Sequence, residues 1–124
     1  MNIRHPKARG EWAELRFMIR ALELGFHAAK PWGDTAPYDV ATDHRGHFRR
    51  VQVKCTFSMR WNSYRCQLTA NGVPYTPDQI DFIAAYIIPT DTWYILPIRA
   101  ILGLPEILLN PHRKNARQNK YKEA

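Results

Sequence analysis

Three polar residues of complementary chemistry lie on two short segments near the middle of the chain: Asp39, Gln52 and Lys54. Arg45-Gly46, between the segments, is typical of a two-residue hairpin turn, and centring the turn there places Asp39 opposite Gln52. Directly opposite residues of paired strands lie about 5 Å apart and diagonal ones about 7–8 Å apart. The spacing therefore predicts that a carboxylate, an amide oxygen and an ammonium group meet at one point of a hairpin.

The other face of the same hairpin supports this register, because side chains alternate between the two faces of a strand. That face is apolar and is predicted to lie against the core; it consists of Tyr38, Val40, Val51, Val53 and Cys55. A shift of the register by one residue would turn this apolar set toward solvent.

A second carboxylate, Glu14, lies on a predicted helix. Residues Glu11–Phe26 combine good helix formers with apolar residues at helical spacing. Glu14 lies at the edge of the apolar stripe, where a carboxylate is unfavourable unless a cation meets it. Mg²⁺ or Lys54 can be that cation. The alternative is a structural ion pair between Glu14 and a basic residue of the sheet, with Gln52 and Asp39 merely hydrogen-bonded.

Two carboxylates, an amide oxygen and a lysine are together the groups that metal-assisted hydrolysis of phosphodiesters requires. Hard oxygen ligands hold Mg²⁺ without replacing all of its water molecules. The ion lowers the pKa of a bound water and polarises the phosphoryl oxygen. The lysine can orient or help to deprotonate that water and can stabilise the charge on the pentavalent phosphorus.

The distribution of charge indicates a polyphosphate partner. The 124 residues carry 18 Lys and Arg against 11 Asp and Glu, which gives a net charge of +7. No acidic residue occurs between Asp43 and Asp78, a stretch in which arginines alternate with aromatic residues, and further basic clusters occupy both ends. Cations displace the counterions of nucleic acids, and aromatic rings stack on bases. The alternative is a solvated basic face with a frayed basic terminus.

A nucleic acid is therefore the predicted partner. The residues predicted to contact it are the arginines, the lysine and the two aromatic residues of these clusters: Arg49, Arg50, Arg60, Arg65, Trp61, Tyr64, Arg113, Lys114 and Arg117. Phosphate neutralisation is expected from the basic residues, while the aromatic pair could pack on a sugar or a base or simply cover the edge of the sheet.

Length and composition argue against several other classes of protein. A chain of 124 residues is enough for one domain. The longest apolar run, Phe82–Ile88, is too short to cross a bilayer, and Met1–Arg9 is basic without an apolar segment behind it, so neither membrane insertion nor secretion is expected. Cys55 and Cys66 form neither a disulfide framework nor a zinc motif, so we expect reduced thiols in a cytoplasmic protein.

The order of predicted elements indicates an α+β fold with a central, mainly antiparallel or mixed sheet flanked by helices. Residues 1–110 are predicted to form the domain and residues 111–124 a basic C-terminal tail. The predicted elements are a helix at 11–26, strands at 38–42, 48–57, 64–70, 82–88 and 93–98, and a helix at 99–109 broken by Pro105.

Several other polar residues have simpler explanations. Asp34 and Asp43 are expected to form turns, although Asp34 could bind a second ion. Asp81 is expected to anchor the start of a strand. Lys30 is expected to be solvated, although it could reach a phosphate, and Gln67 to be a surface amide of a strand that could touch DNA.

An ordered set of motifs resembles the PD-(D/E)xK nuclease superfamily. The motifs are Gly10–Glu14, Pro37–Val40, Val51–Lys54, and the later run from Ile80 to Pro97. Within the superfamily the chain is similar to small single-domain endonucleases of the QxK type, akin to intron homing endonucleases and more distantly to archaeal Holliday-junction resolvases. The resemblance covers roughly residues 7–98 and implies the restriction-endonuclease-like fold.

The resemblance also implies a role for each residue of the predicted site. Glu14 matches the helix glutamate of the superfamily, and Asp39 matches its PD aspartate. Gln52 and Lys54 match the (D/E)xK pair, and the carbonyl of Val53 would be a further metal ligand. The implied catalytic residues are thus Lys54, Glu14, Asp39 and Gln52, and the implied ligands are Asp39, Glu14, Gln52 and Val53.

The chain departs from the family pattern at two positions. Tyr38 separates Pro37 from Asp39, but the aspartate rather than the proline takes part in the chemistry. Gln52 replaces an acid, and a neutral amide binds a divalent ion less strongly than a carboxylate does. Either the metal affinity is lowered or Glu14 supplies the missing charge.

The resulting hypothesis is a Mg²⁺-dependent DNA endonuclease, with Mn²⁺ as the other candidate ion, that hydrolyses phosphodiester bonds by metal-activated water. The alternatives are a structure-selective nuclease for branched or damaged DNA, a non-catalytic DNA-binding protein with a decayed site, and a subunit of a larger assembly. One small site cuts one strand, so duplex cleavage predicts a symmetric homo-oligomer, either a dimer or a tetramer.

Overall fold

The structure, a computed structural model, describes residues 2–113 and 116–123 of the chain. One α-helix, α1 (Pro6–Glu23), precedes ten strands. The strands are β1 (His27–Ala29), β2 (Val40–His44), β3 (His47–Thr56), β4 (Met59–Arg60), β5 (Ser63–Gln67), β6 (Thr69–Ala70), β7 (Val73–Pro74), β8 (Phe82–Ile87), β9 (Thr92–Pro97) and β10 (Glu106–Leu109). Short 3₁₀ segments occupy Ile88–Thr90, Ile98–Ala100 and Arg117–Tyr121.

The strands form a five-stranded sheet in the order β1-β2-β3-β8-β9, a three-stranded sheet in the order β10-β5-β4, and the small β6–β7 hairpin. In the large sheet β3 and β8 are parallel and the other neighbours are antiparallel. The predicted α+β class with a mixed sheet is confirmed. Among the described residues, no helix is long and apolar enough to span a membrane.

The predicted register of the β2–β3 hairpin is confirmed. Val40 pairs with Val51 and His44 pairs with His47. Between them Arg45 and Gly46 have φ angles of 53° and 80°, the left-handed conformations that a two-residue type I′ turn requires. The turn chemistry thus sets which residues of the two strands face each other.

Both faces of the large sheet are covered. On one face α1 packs Ala13 and Phe17 against Val40, Val51 and Val53. On the other face the three-stranded sheet and the segments around it form a second core; its members include Cys66, Leu68, Ile83, Tyr94, Leu96, Ile107 and Leu109. The sheet is therefore flanked by one helix and one small sheet, not by helices on both faces.

Tyr38 differs from its predicted position. It packs against the second core rather than with Val40 on the helix side, because it precedes the first residue of β2 and no longer follows the alternation of that strand. Cys55 lies at the edge of the helix-side cluster as expected, and Cys55 and Cys66 are both free thiols. Burial raises the pKa of Cys66 to about 12.

The predicted C-terminal helix at 99–109 is wrong. Ile98–Ala100 forms one 3₁₀ turn, and Gly103 with a φ of 72° and Pro105 then end any helical continuation. β10 follows and pairs antiparallel with β5. Its burial alternates with a period of two, which is the pattern of a strand rather than of a helix.

The other boundaries differ less. α1 begins five residues earlier than predicted, at Pro6, where the Nδ1 of His5 accepts a hydrogen bond from the N–H of Lys7 (3.2 Å). Proline suits a first helical turn because that turn has no intrahelical partner for its N–H. The predicted strand at 64–70 is divided into β5 and β6.

The described part of the predicted tail lies against the domain. Tyr94 of β9 forms a bridge with Lys122, and its hydroxyl donates to Asn119 Oδ1 (2.9 Å). Arg20 of α1 forms an ion pair of 2.6 Å with Glu123. Residues 116–123 therefore contact both the edge strand β9 and the helix.

Arg50 and Asp81 connect the parallel strands β3 and β8. The backbone N–H of Arg50 donates to Asp81 Oδ2 (2.7 Å), its guanidinium pairs with the same carboxylate at 3.3 Å, and the N–H of Asp81 donates to the Arg50 carbonyl (2.9 Å). Burial alone would raise the pKa of Asp81, but the hydrogen bonds and charge of Arg50 outweigh it and lower that pKa. The expectation that Asp81 anchors a strand start is confirmed.

Replacing Asp81 by Ala is expected to lower the free energy of unfolding by about 1–2 kcal/mol at pH 7, because charge-assisted hydrogen bonds are lost at a site that is one-third exposed. Since the pKa of Asp81 is depressed in the folded state, its contribution is present above the ordinary carboxyl pKa and is lost as the pH falls through the depressed value. Urea denaturation of Asp81→Ala and of the exposed-loop control Asp34→Ala, from acid to neutral pH, measures this. An equal effect of the two variants would contradict the assignment.

Candidate active site

Asp39 lies directly before β2 and is fixed by the backbone of β3. Its N–H donates to the Val51 carbonyl (2.9 Å), and its Oδ2 accepts a hydrogen bond from the N–H of Val53 (2.9 Å). The N–H of Val53, in the central strand β3, thus has a carboxylate as its acceptor rather than a backbone carbonyl of β2. The position of Asp39 depends on the hairpin register that the Arg45-Gly46 turn sets.

Glu14 approaches the same site from α1. Ala13 and Phe17 hold the helix against the sheet, and Glu14 lies beside them with a side chain that is only 19% exposed. Its Oε1 pairs with the Nζ of Lys30 at 2.5 Å. The expectation that a cation meets Glu14 is correct, but in this structure the cation is Lys30 rather than Lys54.

The electrostatics of Asp39 show that the charged groups influence one another. Burial raises the pKa of Asp39, the hydrogen bond from Val53 lowers it, and the neighbouring charge of Glu14 raises it further. Lys30 and Lys54 act in the opposite direction, and the net pKa lies above the usual value. Two carboxylates and two ammonium groups therefore share one partly buried region.

Lys54 lies on β3, near Asp39. Its side chain is held by residues of the β6–β7 hairpin and the segment after it. Its Nζ donates to the Thr69 carbonyl (3.0 Å) and lies 5.4 Å from the ring centroid of Tyr75. Burial lowers the pKa of Lys54, while the nearby charge of Asp39 opposes this effect. The ammonium group therefore has a defined position.

Sequence reasoning missed both partners of this lysine. Thr69 contributes a backbone carbonyl, so its side chain gives no signal. Tyr75 lies in the basic stretch with aromatic residues, which gives no sign of this contact; burial raises its pKa to about 12, with a further contribution from the charge of Asp39. Lys30 is exposed as expected, but its ion pair with Glu14 was not predicted, because the two residues belong to different elements.

Gln52 lies in β3 between the buried residues Val51 and Val53 and is itself half-buried. It is two residues from Lys54, so both side chains leave the strand on the same face. Asp39 lies beside this part of β3, because its N–H donates to the carbonyl of the preceding residue, Val51 (2.9 Å). The structure thus brings the segments of all four predicted catalytic residues to one end of the β2–β3 pairing.

The predicted DNA contacts fall into two groups. Arg49 is exposed on β3, Arg113 and Arg117 are exposed near the C-terminus, and Trp61 is 78% exposed. Arg65 is also exposed, although its Nε pairs with Glu106 at 2.5 Å. Lys114 lies outside the described residues.

Two predicted contacts have structural roles instead. Tyr64 is only 7% exposed and belongs to the second core, so its ring is not presented to a partner. The guanidinium of Arg50 is bound by Asp81 and donates to the Pro77 carbonyl (2.9 Å). Residue type alone did not distinguish these positions from exposed ones.

The donors at the site fit a hard divalent cation. Two carboxylates that repel one another, an amide oxygen and a peptide carbonyl are ligands that Mg²⁺ or Mn²⁺ accepts. Among residues 2–113 and 116–123 there is no cluster of three or more His, Cys, Asp or Glu that could hold a metal. Such an ion would therefore depend on Gln52 and on the Val53 carbonyl in addition to Asp39 and Glu14.

The arrangement of a mixed sheet, a helix carrying Glu14 and a hairpin carrying Asp39 and Lys54 defines the class of restriction-endonuclease-like nucleases. A model of the PD-(D/E)XK endonuclease family matches residues 4–123, and the chain belongs to this family. No curated protein sequence is significantly similar to the chain. The resemblance inferred from the motifs is thereby confirmed.

Two solved structures are similar to the chain. A bacterial homing endonuclease, I-Ssp6803I, is 27% identical with a TM-score of 0.82, and the match covers 98% of this chain and 88% of that one. Hjc, a Holliday junction resolvase of the archaeal hyperthermophile Archaeoglobus fulgidus, is 15% identical with a TM-score of 0.59, covering 82% and 84% of the two chains. The second likeness concerns the fold alone.

Replacing Asp39 by Asn is expected to stabilise the metal-free protein at neutral pH. The amide oxygen of Asn can still accept from Val53, while the negative charge is removed. Because folding raises the pKa of Asp39, its ionised form disfavours the folded state above the ordinary carboxyl pKa, and this effect is absent at lower pH.

Thermal melts in chelator test this expectation. The melting temperature of Asp39→Asn should exceed that of the wild type at pH 7, and the difference should vanish as the pH falls below the ordinary carboxyl range. Asp34→Asn, on an exposed loop, is the matched control and should show no such trend. A lower melting temperature of Asp39→Asn at pH 7 would contradict the electrostatic account.

Proposed function

We propose that the protein is a Mg²⁺-dependent DNA endonuclease that hydrolyses phosphodiester bonds. The observation that carries the proposal is the convergence of Asp39, Glu14 and Lys54, with the lysine ammonium fixed by the Thr69 carbonyl. The chain maintains two interacting carboxylates and a desolvated lysine at one partly buried place. Such perturbed groups are typical of functional sites.

Asp39, Glu14, Gln52 and the Val53 carbonyl would hold the ion. When bound, Mg²⁺ supplies a Lewis acid that makes water more acidic and the phosphoryl oxygen more electrophilic. The Val53 N–H orients the Asp39 carboxylate through Oδ2. Glu14 supplies the second negative charge, which matters more here because Gln52 is neutral.

Lys54 acts on the attacking water and on the phosphate. Its ammonium stabilises the negative charge that develops on the phosphoryl oxygens as the bond to the leaving oxygen breaks. Burial lowers the pKa of Lys54 and so brings its neutral, proton-accepting form closer to neutral pH. The contact with Thr69 keeps the nitrogen in place for either role.

DNA binding is proposed to use the exposed basic residues: Arg49, Arg60, Arg65, Arg113 and Arg117, with Lys114 as a further cation of the same segment. The net charge of +7 favours a polyanion at long range, and each neutralised phosphate releases counterions. Binding should therefore weaken steeply with salt.

Lys54→Ala is expected to reduce Mg²⁺-dependent nicking of supercoiled plasmid at least 100-fold, because it removes a charge that stabilises the transition state. Salt-sensitive DNA binding should remain nearly intact. Lys120→Ala is the matched control, since this lysine lies on the segment beside β9, two strands away from β3. Chelator should abolish nicking by the wild type and by the control.

The same assay with linear and four-way-junction DNA, in Mg²⁺ or Mn²⁺, separates a general endonuclease from a structure-selective one. Equal nicking by Lys54→Ala and the wild type would remove the catalytic role of the lysine. Salt-sensitive binding without cleavage of any substrate would show a DNA-binding protein instead.

The functional unit is proposed to be a homo-oligomer, because one site cuts one strand of a duplex. Leu15, Ile19 and Leu22 form an apolar stripe on the outer face of α1, and each is 57–58% exposed. In an antiparallel pair of α1 helices about a twofold axis, Leu15 of one copy would face Leu22 of the other, with Ile19 near the axis. The stripe is thus self-complementary.

The mass of the protein in solution, measured by sedimentation, tests this proposal. The wild type should sediment as a dimer or tetramer, and Ile19→Glu as a monomer, because a buried carboxylate would be left without a partner. Leu102→Glu, at an equally exposed leucine away from α1, should leave the mass unchanged. A monomeric wild type, or identical masses for both variants and the wild type, would exclude the α1 interface.

A further inference from the structure

The tip of the β4–β5 hairpin has an unusual residue in its turn. Met59 pairs with Tyr64 and Arg60 with Ser63, so Trp61 and Asn62 alone form the loop. Their φ angles are 52° and 62°, which places both in the left-handed region. A two-residue loop of this kind favours Asn and Gly, and Asn62 agrees with that preference.

Trp61 does not suit this position on structural grounds. A bulky side chain at positive φ is sterically disfavoured, and the indole is 78% exposed. Neither the backbone conformation nor burial is improved by a tryptophan there. Strained and exposed residues of this kind are found where a structure serves binding rather than folding.

The indole is nevertheless held in a defined orientation. The guanidinium of Arg60 lies 4.5 Å from the Trp61 ring centroid, and Arg60 also pairs with Glu106 at 3.6 Å. The carbonyl of Asn62 accepts a hydrogen bond from Asn110 Nδ2 (3.1 Å). The tip is therefore anchored to β10 and to the residue that follows it, with Arg60 stacked on the ring.

A second arginine–aromatic stack joins α1 to the residue after β3. The guanidinium of Arg9 lies 4.7 Å from the ring centroid of Phe57, which directly follows β3 and is 51% exposed. Exposed aromatic rings with stacked arginines are typical of proteins that bind nucleic acid by stacking on bases.

We propose that Trp61 stacks on a DNA base that is unstacked from its neighbours in the bound substrate, with Arg60 supporting the indole from its other face. The proposal rests on the proposed function for the identity of the ligand. Trp61 is seven positions after Lys54, so their Cα atoms lie at most about 25 Å apart. With the reach of the two side chains added, the base lies within about one helical turn of the cleaved phosphate.

A base-stacking role explains both the exposure of Trp61 and its place in a turn that disfavours a bulky residue. A rigid, exposed ring loses little conformational entropy when a base covers it, and every base offers a face for stacking. Arg60 pairs with Glu106 and stacks on the indole, so the ring is the group that the tip exposes most fully. Mismatched or unpaired bases are the easiest to unstack, so DNA with such a base should bind more tightly than fully paired DNA.

Trp61→Asn is the most informative variant, because it separates folding from binding. Asn is well tolerated at positive φ, so the melting temperature should stay equal or rise. DNA affinity should fall about tenfold or more with the loss of base stacking. Trp61→Phe keeps a ring and should retain part of the affinity. Phe48→Leu removes another exposed aromatic residue, near the start of β3, and serves as the control.

Duplexes carrying one 2-aminopurine at successive positions, bound in chelator so that no cleavage occurs, report unstacking directly. The wild type and Phe48→Leu should change the fluorescence at one position, and Trp61→Asn should give a different response there because no indole covers the base. Affinity and fluorescence of Trp61→Asn equal to those of the wild type would overturn the proposal, as would a loss of affinity with no position that responds in the wild type. Plasmid nicking is measured separately: a fluorescence response without nicking would overturn the endonuclease function and leave the stacking assignment standing.

Discussion

The hydrogen bond from the Val53 N–H to the carboxylate of Asp39 is the interaction on which the site depends. It fixes a carboxylate at the point where β2 begins, directly beside the segment that carries Gln52 and Lys54. The same placement removes the carboxylate from solvent and brings it near Glu14, and both effects raise the pKa of Asp39. The arrangement that favours a bound cation thus lowers the stability of the metal-free fold. This is the usual conflict between function and stability.

The rest of the fold keeps this arrangement in place. β3 is central, paired with β2 on one side and parallel to β8 on the other, and the Arg50–Asp81 contact fixes the start of the parallel pair. α1 covers one face and brings Glu14, while the β6–β7 hairpin approaches Lys54 and supplies the Thr69 carbonyl. Each charged group of the site therefore comes from a different element, held by its own packing.

The basic residues of the protein differ in their surroundings and therefore in their roles. Arg50 is partly buried and bound by Asp81, Arg65 is exposed but pairs with Glu106, and others such as Arg49 are exposed. At the β4–β5 tip, Trp61 combines a disfavoured backbone conformation with high exposure and an ordered indole. Charge attracts DNA from a distance, whereas a ring of this kind contributes only at contact, so the two features act at different stages of binding.

The sequence by itself determined what depends on neighbouring residues. The Arg45-Gly46 turn set the register that pairs Val40 with Val51 and so brings Asp39 beside the segment of Gln52 and Lys54. Helical spacing showed that Glu14 lies at the edge of a packed face, and the ordered motifs indicated the nuclease family. Only the tertiary structure decided that residues 106–109 form a strand, that Tyr64 is buried, and that Lys30 and Thr69 contact the site. These outcomes depend on partners distant in sequence: β10 is a strand because β5 offers it an open edge, and a lysine that looks solvated is paired because a helix brings a carboxylate to it.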